Sequence, residues 1–191
     1  YFDHERYVKE EYYKQIDKKL MELTKLKETP YFGKVIFSDE DDCQEEIYVG
    51  RYGLTKDATF ESIIIDWRAP IASLFYKGSL GPATYKTPDG ELSADILARR
   101  QFVIKKGSLQ GYFDSEVDVK DEILQMILSS NSGEKLKDIV MTIQQEQDDI
   151  IREERMKVVV VNGVAGSGKT TIALHRVAYL LYNYRQQLGN K

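Results

Sequence analysis

The sequence predicts an α+β chain in three parts. An N-terminal coiled-coil-type helix is followed by an antiparallel β-rich middle. A helical segment then leads into the strand, loop and helix of a phosphate-loop α/β unit. Three observations predict this. Residues 1–28 hold no Gly or Pro, and Val8, Tyr12, Ile16, Leu20 and Leu23 recur at helical spacing. Residues 31–113 are dense in β-branched and aromatic residues broken by turn formers. A Gly-rich loop, Gly163 to Thr170, separates an aliphatic run from an amphipathic stretch. The expected boundaries are 1–29, 30–115 and 116–191.

The first helix is expected to run about seven turns and to stop at Pro30 and Gly33. Its one apolar stripe needs a partner, because an isolated amphipathic helix gains little from propensity alone. Two partners fit: the helix's own domain, or the other arm of an antiparallel coiled coil lying upstream of Tyr1. The β-rich middle reads as strands at 31–38, 46–54, 62–67, 71–77, 83–87, 96–106 and 109–113. Asp41-Asp42, Lys56-Asp57, Pro88-Asp89-Gly90 and Lys106-Gly107 sit between them as turns. Strands at such short intervals predict an antiparallel sheet or a small barrel. Beyond it, Ile123, Leu124, Ile127 and Leu128 read as one helix. Ile139, Ile143, Ile150 and Ile151 read as one or two more, and Gly133 separates the groups.

Composition bounds the function. The chain has 191 residues, is 42% hydrophobic and 30% charged, and so can bury a core. Its net charge of −4 excludes a polycation built for nucleic acid. Six acids crowd into 39–46, while 68–110 carries seven bases against three acids, a possible basic face. The longest aliphatic run, 158–161, is too short to span a membrane, and no signal peptide opens the chain. The single cysteine, Cys43, fits a reducing cytoplasm, so a cytoplasmic location is expected. The chain starts at Tyr1 without Met and stops at Lys191 just after a helical pattern, which reads as a piece of something longer.

The chemistry resides in Gly163, Val164, Ala165, Gly166, Ser167, Gly168, Lys169 and Thr170, which fit G-x-x-x-x-G-K-[ST] at every fixed position. Glycines let successive backbone N–H groups point inward as an anion nest, and the helix N-terminus adds its partial positive charge. Lys169 is placed to reach the β and γ phosphates, as the catalytic cation, and the Thr170 hydroxyl to ligate Mg²⁺. Thr171 follows in the first helical turn. The expected cofactors are therefore ATP and Mg²⁺. Hydrolysis also needs a carboxylate on a second strand, and none of the 21 residues after Thr170 is acidic. Asp66, after Ile63-Ile64-Ile65, looks like such a strand-plus-acid signal, but reads first as a strand ending in a turn.

The run Val159-Val160-Val161-Asn162 through Thr170, with Ala173-Leu174-His175-Arg176-Val177-Ala178-Tyr179-Leu180-Leu181, resembles the first nucleotide motif of UvrD-type superfamily 1 helicases. The stretch Thr142-Ile143-Gln144-Gln145-Glu146-Gln147-Asp148-Asp149-Ile150-Ile151-Arg152 resembles that superfamily's Q motif, with Gln147 sixteen residues before Gly163. The resemblance implies that Gln147, or its competitor Gln144, reads the adenine edge. Tyr31-Phe32-Gly33, Val49-Gly50-Arg51, Ile65-Asp66-Trp67-Arg68-Ala69-Pro70, Leu74-Phe75-Tyr76 and Arg99-Arg100-Gln101-Phe102 are similar to the HelD branch, the RNA-polymerase-associated ATPases related to those helicases. That resemblance implies a coiled-coil arm ending near Glu28, a β-rich insert and the start of a first RecA-like domain. Thr171 stands where many UvrD-type enzymes carry Arg, and the acidic strand motif and arginine fingers are not in the chain.

Three functions follow. The first is the N-terminal part of an ATP-dependent, helicase-like motor that binds RNA polymerase and remodels transcription complexes, with no hydrolysis by this chain alone. The second is a UvrD-type DNA helicase or translocase of repair or recombination. The third is a protein-binding module formed by residues 1–150.

Overall fold

A computed structural model describes residues 4–56, 59–77, 79–87, 90–114, 145–156, 158–164 and 166–185. The helices expected around Ile123–Leu128 and Ile139–Ile143, and the turn at Pro88-Asp89, lie outside the described residues. Helix α1 spans His4–Glu28. Strands β1 (Gly33–Ser38), β2 (Gln44–Gly50), β3 (Leu54–Thr55) and β4 (Ser62–Asp66) follow. A 3-10 turn, Pro70–Ala72, runs into α2 (Ser73–Tyr76). Then come β5 (Gly81–Thr87), β6 (Gly90–Lys105) and β7 (Ser108–Asp114), and finally α3 (Gln145–Arg152) and α4 (Lys169–Asn183). Among the described residues no helix is long and apolar enough to cross a membrane.

The α+β class and the N-terminal helix are as expected, but the sheet differs from the reading in two ways. It is mixed, in the order β3-β4-β2-β1-β6-β5 with β7 also on β6. The β2–β4 pair is parallel, Val49 facing Ile65 and Gly50 facing Asp66. The link between them is long enough to carry the chain back before β4 starts. Part of it, β3, pairs antiparallel with β4. The second difference is the expected strand at 71–77, which is the 3-10 turn and α2. Pro70 sits at the first position of the turn, where its missing N–H costs nothing. Ser73, Leu74, Phe75 and Tyr76 are all buried, which a strand with one solvated face does not allow. Arg99 Nη1 donates to the carbonyls of Phe75 and Lys77, satisfying the end of this short helix.

β6 organises the sheet. One edge pairs with β1 over Asp95 to Gln101. The other pairs with β5 up to Ile96 and with β7 from Arg100, so these two hairpin partners lie end to end. Opposite Ile36 and Phe37 the register slips, leaving Leu97 as an extra residue. Burial falls on Ala94 and Ile96 before this bulge and on Gln101 after it, so the inward face changes parity.

The core side of the sheet carries Val35, Phe37, Val49 and Ile96, all nearly inaccessible. Phe32, Trp67, Leu74 and Phe75 extend the cluster, and Ile151 of α3 with Ile172 and Tyr179 of α4 complete it. The two C-terminal helices and the sheet therefore share one hydrophobic cluster. By contrast α1 stands largely in solvent. Leu26 is its buried residue, whereas Val8, Tyr12, Ile16, Leu20 and Leu23 are all exposed. Its C-terminal end is anchored on the sheet: Lys25 Nζ donates to the Tyr52 hydroxyl at 3.2 Å and the Gly107 amide donates to the Glu28 carbonyl at 2.7 Å.

The aliphatic run at 158–161, expected as a strand, joins no ladder among the described residues. Val158 and Val160 are 76% and 80% exposed. A parallel strand of the central type is created by neighbours on both edges. None of the seven strands of the sheet pairs with it, and no RecA-like α/β unit is formed by the described residues.

Candidate functional site

The Gly-rich loop leads into α4, and its conformation is set by its glycines. Gly166 and Gly168 have φ of 84° and 79°, in the left-handed region. Gly168 is the N-cap of α4, and among the described residues no side chain caps the helix. The first-turn amides of Lys169, Thr170 and Thr171 thus face outward from an uncapped N-terminus, the arrangement that suits an anion. At Gly163 a Cβ would sit 2.5 Å from Ser167 Oγ, so any side chain there would have to turn the Ser167 hydroxyl aside. The Ser167 amide donates to the Val164 carbonyl at 3.2 Å and completes the turn. Ala165 lies outside the described residues.

Lys169 folds back over this loop. Its Nζ donates to the carbonyls of Gly163 at 2.8 Å and Val164 at 2.6 Å. The ammonium is therefore held at the mouth of the loop, exposed and within a rotation of an anion bound there. Thr170 follows on the first turn. Among the described residues no group of three or more His, Cys, Asp or Glu side chains is placed to hold a metal.

Of the two candidate adenine contacts, Gln144 lies outside the described residues, and Gln147 lies beside the loop. Its side-chain amide nitrogen is 3.9 Å from the position a Cβ on Gly168 would take. The residues at the loop and at the Gln-rich stretch are thus brought together, across an interval of sixteen residues in the sequence.

The contact is made by packing α3 on α4. Ile151 and Ile172 are buried between them. Arg176 Nη1 donates to the Ile150 carbonyl at 2.6 Å, satisfying an end group of α3. Tyr179 donates its hydroxyl to Glu154 at 2.8 Å. Burial and this carboxylate hold the Tyr179 phenol above its usual range.

The sequence reading missed what supports this pair. The turn after β4, Asp66 to Pro70, is the seat of both helices. On α4, the His175 ring meets Trp67 edge to face with centroids 5.3 Å apart. Tyr182 lies under the Arg68 guanidinium at 4.7 Å. On α3, Arg152 donates to the Trp67 carbonyl at 2.6 Å and to the Ala69 carbonyl at 3.1 Å. Its Nε is held by the Asp148 carboxylate at 2.7 Å. Asp148 is 4% exposed, and burial pushes its carboxyl up against the pull of Arg152. A four-residue spacing of acid and base within the Gln-rich stretch was the available signal, and it reads equally as a surface helix pair.

Asp66 itself is not free to serve a metal. Its Oδ1 accepts from the Arg68 backbone amide at 2.9 Å and from Arg68 Nε at 2.8 Å, and its Oδ2 accepts from Nη2 at 2.6 Å. It is the strand-ending turn residue of the first reading.

Comparison with known proteins adds one match. The family model described as the N-terminal domain of DNA helicase IV HelD matches residues 3–127, well over half of the chain. The chain belongs to this family and is a HelD-like, helicase-associated protein. A search of curated proteins finds no match to it. The matched range takes in α1 and every strand, while α3, the loop and α4 lie beyond it.

Proposed function

We propose that this chain is the N-terminal part of an ATP-dependent, helicase-like motor that binds RNA polymerase and remodels or recycles transcription complexes. The observation that carries the ATP half is the loop: two left-handed glycines, an uncapped 15-residue helix, Lys169 at the mouth and Gln147 alongside. Loop amides and Lys169 would hold the phosphates, Thr170 would complete a Mg²⁺ site, and Gln147 would meet the adenine. Bound Mg²⁺ would neutralise charge between the outer phosphates. Residues 158–161 would become the central strand of a RecA-like domain when flanked by further strands. The exposed stripe of α1 supports the coiled-coil reading over packing on its own domain, since the sheet leaves it uncovered. A cytoplasmic location goes with this role.

The second reading, a DNA helicase or translocase, is favoured by the description of the matched family. The state of the arginines in 68–110 speaks against a nucleic-acid face there. Arg68 is paired with Asp66, Arg100 with Asp114, and Arg99 holds the end of α2. Each is engaged within the protein rather than presented to a phosphate backbone.

Two measurements test these readings. Titration calorimetry of the 191-residue chain with Mg·ATP should show binding that Lys169→Ala abolishes, without turnover; no binding by the unaltered chain removes the ATP half. For the longer protein, co-purification with core RNA polymerase and weak response to single-stranded DNA are expected. Strong stimulation by single-stranded DNA without polymerase binding would favour the helicase instead.

A further inference from the structure

We infer that Arg152 is a positioning residue that sets adenine preference, by latching the Gln147 helix to the turn between β4 and α2. This rests on the ATP-site reading above and adds the part of the protein that gives the site its base selectivity.

Gln147 and Arg152 lie on the same helix, α3. A helix gains little stability in water from propensity alone, so its position is set by what it packs on. What fixes it is the packing of Ile151, the Arg176 bond to its Ile150 carbonyl and the latch of Arg152 to the turn. The latch has three anchors. Two are backbone carbonyls, of Trp67 and Ala69, which belong to the strand-ending turn of the sheet and cannot swing as side chains do. The third is Asp148, one turn back on α3, which accepts from Nε through both oxygens at 2.7 and 2.9 Å. A guanidinium has donors in a rigid fork and can satisfy all three at once, which a lysine ammonium on a flexible stem cannot. Tyr76 and Tyr179 stack at 5.5 and 5.3 Å from the guanidinium carbon and close the sides. The phosphate loop has its own support, since α4 rests on the same turn through Trp67, Arg68 and Tyr182.

The two helices pack on each other through Ile151, Ile172 and Arg176, and each has in addition its own contacts with one turn. Loosening Arg152 frees the end of the site that carries Gln147 and leaves the end that carries Lys169. Recognition of the phosphates should survive and recognition of the base should not. A polar contact that must be aimed at a base edge is lost by a displacement of an ångström, whereas an amide nest around a triphosphate is not.

The test compares Mg·ATP, Mg·GTP and Mg·tripolyphosphate on the full chain by calorimetry, for the unaltered protein, Arg152→Lys, Gln147→Ala and the double variant. Trp67, the single tryptophan, reports folding by its emission. Arg152→Lys should weaken ATP by about tenfold and leave tripolyphosphate within about twofold, so that the preference for ATP over GTP shrinks. Because Arg152 acts through Gln147, the double variant should bind ATP no worse than Gln147→Ala alone. Equal losses for ATP and tripolyphosphate, or no loss for ATP, would overturn the inference, as would additive losses in the double variant. If Arg152→Lys does not fold, Asp148→Asn releases one anchor and should show the same selective loss; unchanged selectivity there overturns it as well. An unaltered chain that binds neither ATP nor tripolyphosphate would instead sink the ATP-site reading. One that binds both equally would leave the phosphate site standing and remove the adenine latch.

Discussion

The Asp66–Arg68 pair decides whether the turn after β4 is a structural seat or an acidic motif waiting for a metal. Asp66 is 7% exposed and the Arg68 side chain 24% exposed. Three hydrogen bonds join them, two of them through the guanidinium fork. The bond from Asp66 holds the Arg68 guanidinium above its usual range. Removing one member of a buried pair costs about 3–5 kcal/mol, because it strands the other charge. Arg68 can swing toward solvent from its partly exposed place over Tyr182, so Asp66→Ala should cost about 3 kcal/mol, the low end of that range. Arg68→Ala leaves the Asp66 carboxylate with one backbone donor and should cost a similar amount. The double variant removes both charges, and its loss should fall short of the sum by about 2 kcal/mol. Urea unfolding of the four proteins, followed by far-UV circular dichroism, measures this coupling. A value under about 0.5 kcal/mol would place the pair among solvated surface contacts and refute the account. So would an Asp66→Asn variant of undiminished stability that nevertheless stops nucleotide turnover in the longer protein.

Three further outcomes are expected. Gly168→Ala forces a side chain into a left-handed residue at a cost of about 1–2 kcal/mol, and it should weaken Mg·ATP in calorimetry while leaving the sheet's amide protection in hydrogen exchange unchanged. Among the described residues the buried Tyr76 hydroxyl has no hydrogen-bond partner, so Tyr76→Phe should raise stability by up to about 1 kcal/mol in urea, and a loss of that size would mean the hydroxyl is bonded. The Lys34 ammonium, 2.6 Å from Glu46, holds that carboxyl below its ordinary value. The contribution of Glu46 is therefore present above the unfolded carboxylate value and lost as pH falls through the depressed folded one. Glu46→Gln should cost under about 1 kcal/mol at pH 7, because Glu46 is largely solvated, and the difference should vanish below pH ~3; a difference that persists in acid contradicts the pairing.

Much of the sheet was legible because its strands bury alternate residues, as in Val35 and Phe37 of β1. The composition that signals a strand also fits a helix buried on all sides, and so Ile71 to Tyr76 misled: β-branched and aromatic residues announce burial, not period. The parallel pairing of β2 with β4 left no mark, since the intervening residues carry the turn signals of an ordinary hairpin. Gly163, Gly166, Gly168 and Lys169 were legible because each has a conformational or chemical reason to be that residue type. The seat beneath them was not. Arg152 is anchored on carbonyls of Trp67 and Ala69, and every residue type has a carbonyl. Specificity built on backbone acceptors leaves no signature at the accepting positions, only a well-placed arginine that resembles many surface ones.

That seat has a mechanical consequence. The core of the sheet and the inner faces of α3 and α4 form one cluster, joined through Trp67, Ile151, Ile172 and Tyr179. A packed cluster does not deform continuously; it holds or it rearranges as a unit. The helix behind the Gly-rich loop therefore cannot rotate on its axis without shifting Tyr179 in that cluster and the His175 ring on Trp67. Trp67 follows β4, whose neighbours lead through β2 and β1 to β6. The end of α1 is fixed to the same sheet at Tyr52 and Gly107. The helix after the loop and the end of α1 are thus joined to one sheet, by packed side chains at one end and hydrogen bonds at the other. A 25-residue helix anchored at one end multiplies a small tilt at its root into a larger movement at its tip.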